Sequence, residues 1–411
     1  MITGEKLAAP SFFGQVPHAD DVAQLVELVE GSIDIDLTHG VHLDVGVLNR
    51  ESGGRFNPVL RFATAGHAQE IVDLYRELYE GSYPYKEMED VEYVRQLIES
   101  PNLDCILFFT PSEEIAGCVK FSLDFANKRG YIRGFMVKKE FHKHIDVVKA
   151  FLGAMLALYI TYRKEILLWY VENRTAHSSS QYPMHVAGVR PIAFFPNKDI
   201  FLGKVESDLM QVLYSKEALY YNRSDREPIL IPEVMKCYQD SQQRYGLGGV
   251  RIAFPKMGLD SYQLSVLSES VEVSIDTDDY DYHTITLTLE DSDSYFKFLY
   301  SPQVQNFEKT EYKVNTLEEL FVFIQQFRSL GRRFSIRYCE IFVSAYEPAH
   351  QRLFYDVFGL VPRGYIPSWK FNSEEQVFED SILFNYFEGV IDTDICLIDE
   401  GIELLACLDM K

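Results

Sequence analysis

Positive charge is what this chain has little of. Its 411 residues carry 39 Lys and Arg against 62 Asp and Glu, a formal net charge of −23. Nucleic acids and anionic membranes need a basic footprint, so neither is expected as a partner. Cationic partners, such as amines or basic peptides, are favoured. Cysteine is also scarce. Cys105, Cys118, Cys237, Cys339, Cys396 and Cys407 form no Cys-x-x-Cys pair, and most sit in apolar runs such as "LDCILFF". This pattern predicts reduced core cysteine in a cytoplasmic protein. No uninterrupted apolar span reaches membrane length. The first residues also lack a basic segment followed by an apolar one, so no signal peptide is expected.

Metal-binding patterns are missing too. Asp34, Asp36, His42 and Asp44 lie on the polar sides of "DIDLTHGVHLD", but the solvated face of any hairpin looks the same. "DTDDYDY", from Asp276, begins like a calcium loop. It lacks the glycine at position 6 and has Leu287 where a bidentate Glu belongs. No metal is expected.

What is present is an ordinary folding composition, with 47% hydrophobic and 25% charged residues. A chain of this length predicts roughly two or three domains. Residues 1–60 read as a helix ("HADDVAQLVELVEG") followed by a β-hairpin turning at His39-Gly40. Residues 61–221 read as helix, helix, strand, turn, strand, strand, helix and strand. Within this stretch, Val147, Val148, Phe151, Leu152, Met155 and Tyr159 share helical spacing, and "EILLWYV" is a continuous apolar strand of the kind buried on both faces. Residues 222–249 form a connector, 250–390 a second strand-and-helix region, and 391–411 a tail.

An internal repeat links the two regions. "TAHSSSQYPMHVAGVRPIAFFP", from Thr175, parallels "SAYEPAHQRLFYDVFGLVPRGYIP", from Ser344. Each follows an apolar strand and carries a Gln with a Gly seven or eight residues later. Each closes in an apolar strand ending on proline.

These segments resemble the GNAT superfamily of acyl-CoA-dependent N-acyltransferases. "EEIAGCVKFSL" is similar to the family's hairpin. "GFMVKKEFHKHIDVVKAFL" falls where the family has a strand, a pyrophosphate loop and a long helix, and "HVAGVRPIAFFPN" resembles its closing helix-Gly-strand segment. "GSYPYKEMEDVEYV" is loosely similar to the β-lysine acetyltransferase branch. In the second region "LFYDVFGL" is close to another family segment. The resemblance implies an α/β (α+β) fold of two tandem GNAT-like units. Each would be a twisted mixed, largely antiparallel sheet flanked by helices, behind the N-terminal extension. It also implies acetyl-CoA, or another acyl-CoA, as co-substrate, lying where two strands part.

The resemblance assigns the cofactor to Phe135, Met136, Val137, Lys138, Lys139, His142, Lys143, His144, Ile145, Asp146 and Val147. The family's loop reads Arg/Gln-x-x-Gly-x-Gly/Ala. The matching positions here are His142, Ile145 and Val147, so both small residues are gone. Backbone N–H groups exist at every non-proline residue, and the lysines add positive charge at a helix N-terminus. In the family a tyrosine four residues before the closing Gly protonates the leaving thiolate. Tyr355 stands four before Gly359, whereas the first unit has Met184 there, with Tyr182 or His185 as substitutes. For the acceptor, Tyr83, Tyr85, Glu87 and Glu89 combine aromatic faces with carboxylates, which suits a cationic amine. The expected activity is N-acetylation of such an amine, on a small molecule, a lysine or a protein N-terminus. The alternative is a non-catalytic tandem protein binding acyl-CoA or a protein partner. A second copy of the chain, giving a homodimer, is a further candidate partner.

Overall fold

A computed structural model describes residues 41–42, 54–56, 58–391 and 394–408. The expected N-terminal helix and most of the hairpin lie outside the described residues. Val41–His42 pairs antiparallel with the strand that opens the first unit.

The first unit contains β1 (Val59–Phe62), α1 (Ala68–Tyr79), α2 (Val91–Glu99), β2 (Leu103–Phe109), β3 (Ile115–Asp124) and β4 (Arg129–Val137). It continues with α3 (Val147–Tyr162), β5 (Leu168–Arg174), α4 (Gln181–Val186), β6 (Arg190–Phe201) and β7 (Lys204–Tyr214). After a connecting helix α5 (Met235–Tyr245) and α6 (Ser261–Glu269) come β8 (Val271–Thr277), β9 (His283–Leu289), β10 (Tyr295–Ser301) and β11 (Asn306–Lys313). The second unit closes with α7 (Leu317–Phe334), β12 (Tyr338–Ser344), α8 (Pro348–Leu353), β13 (Val361–Asn372) and β14 (Val377–Phe387), and α9 (Asp399–Cys407) follows.

All these strands join one fifteen-stranded sheet. From Val41–His42 its order is β1-β2-β3-β4-β5-β7-β6-β13-β14-β12-β11-β10-β9-β8. Leaving out Val41–His42, the order reads the same from both ends toward the β6–β13 junction. Neighbours are antiparallel except β4 with β5 and β11 with β12. A parallel pair requires a crossover, and α3 and α7 supply it.

The duplication extends to local backbone. In the first unit Gly134 and Phe135 bulge opposite Val119. In the second, Lys309 and Thr310 bulge opposite Phe298. Both bulges turn on a left-handed residue, Gly134 at φ 57° and Lys309 at φ 53°. The units also hold each other's trailing arms. Gln351 bonds the backbone of Ile229 and Ile231 in the connector, and Gln181 bonds that of Cys396 and Ile398 in the tail, all at 2.9–3.2 Å. These are the two glutamines of the sequence repeat.

Burial follows composition. Helix α3 is apolar on nearly every face, and Val148 through Tyr159 are all buried. Helix α7 is amphipathic, with a Thr316–Glu319 capping box and an apolar stripe of Leu320, Phe323, Ile324 and Phe327. At the junction, Gly364 of β13 pairs with Ala193 of β6. A Cβ on Gly364 would stand 2.3 Å from the Ala193 Cβ, so only glycine permits this approach.

Candidate functional site

Each parallel pair is a fork. β4 and β5 pair from Arg129–Leu168 to Ile132–Val171 and then separate, leaving the edge of β4 beyond Ile132 without a strand partner. β11 and β12 separate after Phe307–Cys339. Both forks border one chamber of about 1210 Å³ on the sheet face opposite α3 and α7. The two ends of the sheet curl toward each other around it. Tyr282 Oη donates to Glu87 at 2.9 Å and Tyr280 Oη to Asp90 at 3.1 Å, joining the β8–β9 turn to the segment before α2.

On the first unit's side the chamber wall carries Lys120 on β3, Tyr131, Arg133 and Gly134 on β4, and Tyr170 and Glu172 on β5. Tyr83, Tyr85 and Glu87 come from the loop after α1. Tyr75, Tyr79, Tyr83 and Tyr85 form a chain of ring contacts with centroids 4.5–6.1 Å apart. Burial pushes the Tyr83 and Tyr85 hydroxyls well above their ordinary range, so both stay neutral. Tyr85 Oη donates to Asp199 at 3.4 Å.

Lys120 stands at the first fork. It is 2% exposed, donates to Tyr75 Oη and lies over the Tyr75 ring. Burial pulls its ammonium down to about 8, with Arg133 acting in the same direction. A Cβ on Gly134 would meet Lys120 Cε at 2.6 Å and Tyr75 Oη at 2.8 Å, so glycine keeps the fork open beside the amine.

Between the units, Lys198 of β6 contacts Glu172 of β5 at 2.7 Å and Glu340 of β12 at 3.0 Å. Its ammonium is held charged, well above its usual range, by Glu172 and then Glu340 against the cost of burial. Burial raises Asp199 to about 6 and Glu340 to about 7, and it raises Glu308 and Asp208 as well. Around Lys198 the lining carboxylates Glu172, Glu308 and Glu340 outnumber the ammonium they act on. The arrangement favours a positively charged guest.

The sequence-derived candidates are distributed unevenly. Tyr83, Tyr85 and Glu87 stand in the chamber wall. Glu89 instead lies 3.5 Å from Lys86 Nζ, outside the wall. Tyr182 packs on the α3 core and Tyr355 on the core of the second unit. His185 Nδ1 sits 2.9 Å from Arg190 and 3.3 Å from Glu400 of α9. None of these three lines the chamber. Phe135 wedges between Phe108 and Phe151, Met136 and Val137 are buried, and Ile145 is a core residue 1% exposed.

The loop from Lys138 to Val147 is largely self-satisfied. Lys138 pairs with Glu114 at 3.3 Å and Lys139 with Glu80 at 3.0 Å. Backbone N–H groups of Lys138, Phe141, His142, His144, Ile145 and Asp146 all reach backbone carbonyls, and that of Lys139 reaches Glu77. His142 Nε2 lies 2.8 Å from the Val137 carbonyl oxygen. The buried Asp146 carboxylate caps α3 by accepting from Lys149 N at 3.2 Å. It sits where an anion would dock at the positive end of the helix. The second unit does the same with Glu319, which accepts from Asn315 N at 2.7 Å and Thr316 N at 3.0 Å. β4 beyond Ile132 thus keeps an edge without a strand partner, and the Asp146 carboxylate at the α3 terminus opposes a second anion there by like-charge repulsion. Replacing Asp146 by Ala is expected to cost about 0.5–2 kcal/mol in a urea melt, the usual value of a lost cap.

Sequence reasoning missed Lys120, Arg133, Glu172, Lys198, Asp199, Glu308 and Glu340. Polar residues alternate along β3 and β4 and run together in β11, as on a solvated sheet face. Here two such faces look at each other.

No family model matches the sequence, and no curated protein matches it. Solved structures do resemble part of the chain. A spermidine N-acetyltransferase mutant from Vibrio cholerae is 12% identical, with a TM-score of 0.34, over 39% of this chain and 95% of its own. A ribosomal-protein-S5-alanine acetyltransferase from Vibrio fischeri is 11% identical, with a TM-score of 0.33, over 39% and 94%. An acetyltransferase from Salmonella typhimurium that modifies the N-terminal serine of ribosomal protein L7/L12 is 16% identical, with a TM-score of 0.32, over 38% and 94%. All three are named as acetyltransferases. At such identity and TM-score the likeness carries no weight for activity, and the functional reading rests on the geometry of this chain.

Proposed function

We propose that this chain is a GNAT-type N-acyltransferase whose acceptor is a cationic amine bound in the chamber between its two units. The observation that carries this reading is the first fork. Its strands part at Gly134 directly onto a wall of tyrosines and carboxylates. The amine must lose a proton before it can attack a thioester. Lys120, held near 8, is the group beside the fork able to accept that proton once it is itself neutral. Glu87 and Glu172 offer charge to the incoming ammonium, and the tyrosine chain excludes water. An acyl thioester supplies the transferred group; its diphosphate would need a hold other than the capped α3 terminus.

The capped terminus favours a second reading, a protein that binds a cationic ligand in the chamber without transferring an acyl group. One assay separates the two. Purified protein is mixed with acetyl-CoA and a panel of primary amines, and free thiol is followed with time. The first reading expects amine-dependent thiol release that rises with pH through about 8, and a loss of at least tenfold in Lys120→Met. Amines that stabilise the protein without releasing thiol would establish the second reading and sink the first.

A further inference from the structure

We infer that the fork of the second unit is an ammonium-binding site, with Glu308 Oε1 and Thr310 Oγ1 as its acceptors. This inference rests on the reading that the chamber receives a cationic amine, and it assigns one end of that amine a place.

Both residues lie on β11 where it parts from β12, and both line the chamber. Glu308 is 5% exposed and Thr310 9% exposed. Neither Glu308 Oε1 nor Thr310 Oγ1 has a hydrogen-bond partner among the described residues. A buried carboxylate oxygen without a donor is costly and uncommon. Two acceptors left over on one bulged strand are what an ammonium, with three donors, would satisfy.

The surrounding charges leave the position open to a cation. Lys198 is a buried ammonium that acts on Glu308, and Glu172 and Glu340 already hold it. The exposed Lys309 and then Lys198 act most on the Glu308 charge, and Asp199 and Glu172 add negative potential there. Tyr85 and Tyr282 both feel the Glu308 charge and bring aromatic surface to the same corner. The geometry points to a primary or secondary alkylammonium. The duplicated fork thus has a division of labour: the first faces the reacting amine at Gly134, and the second grips a positive charge.

The test is calorimetric titration of the full chain with n-hexylammonium chloride, with n-hexanol as the uncharged control. The expected result is binding of the ammonium but not the alcohol, weakened at least tenfold by Glu308→Gln and several-fold by Thr310→Val. Thermal melts of each variant establish that it is folded. Should Glu308→Gln fail to fold, Thr310→Val alone decides, since it removes one acceptor and no charge. Equal binding by wild type and folded variants overturns the site while leaving the chamber reading intact. No ammonium binding by the wild type overturns both. Binding that Glu308→Gln abolishes, with no thiol release from any amine, upholds the site and sinks acyl transfer.

Discussion

Lys198→Met will lose about 3–5 kcal/mol of folding stability, the usual cost of removing one partner from a buried ion pair. The Lys198 side chain is 3% exposed and neutralises Glu172 at 2.7 Å and Glu340 at 3.0 Å. Met keeps most of the volume and the packing on the Phe195 ring, so the loss reports charge rather than a cavity. The two carboxylates belong to different units, so removing their shared ammonium also sets them repelling across the junction. Urea unfolding at pH 7.5 measures the effect. The sign of its pH dependence follows from the raised carboxyls. Burial already holds Glu340 near 7 and Asp199 near 6 with the ammonium present. A carboxyl raised in the folded state costs stability as pH climbs from its unfolded value through its folded one. Without Lys198 the folded-state values rise further. The gap between wild type and variant therefore narrows as pH falls from 7.5 toward 5, where the carboxyls are protonated. A gap that stays constant over that range would refute the electrostatic account.

Asp380→Ala should be comparably damaging, at about 3–5 kcal/mol, because it strands an arginine whose side chain is only 12% exposed. Asp380 is fully buried and accepts from Arg223 Nε at 2.9 Å and Nη2 at 2.5 Å, from Ser368 N at 3.0 Å and from Tyr365 Oη. Arg223 opens the connector, so this carboxylate anchors that arm to the second unit. The neighbouring pair Arg226–Glu379 is an internal control. Its arginine is 50% exposed, and Glu379→Ala should change stability by about 0–1 kcal/mol at most. Chemical denaturation of both variants reads the contrast, and similar losses at the two positions would show that burial is not what matters here.

Much of the fold was legible in the sequence because it depends on local pattern. The 3.6-residue spacing through Val147–Tyr159 marks α3, and the apolar run "EILLWYV" marks β5, an interior strand of the sheet. The two glutamines of the repeat, Gln181 and Gln351, now have a shared task in gripping backbone. What they grip was not legible, because each holds an arm that follows the other unit in sequence. The site was harder still. Tyr83, Tyr85 and Glu87 stood out as aromatics beside acids in one loop. Lys198 and Glu308 did not, because a charged residue on a strand reads as solvent-facing until a second face covers it.

The sequence by itself determined the periodicities, the duplication, the acidic balance and the glycine-free loop after β4. Those follow from neighbouring residues, within the reach of one helix turn or one strand. Only the tertiary structure decided that the two sheets fuse at Gly364 and Ala193 and curl to enclose a chamber. It also decided that Asp146 caps α3, that Glu319 closes the capping box of α7, and that Glu308 Oε1 has no hydrogen-bond partner among the described residues. Those outcomes depend on which distant groups desolvate one another, and the cost of burying a charge is set by what surrounds it rather than by its neighbours in the chain.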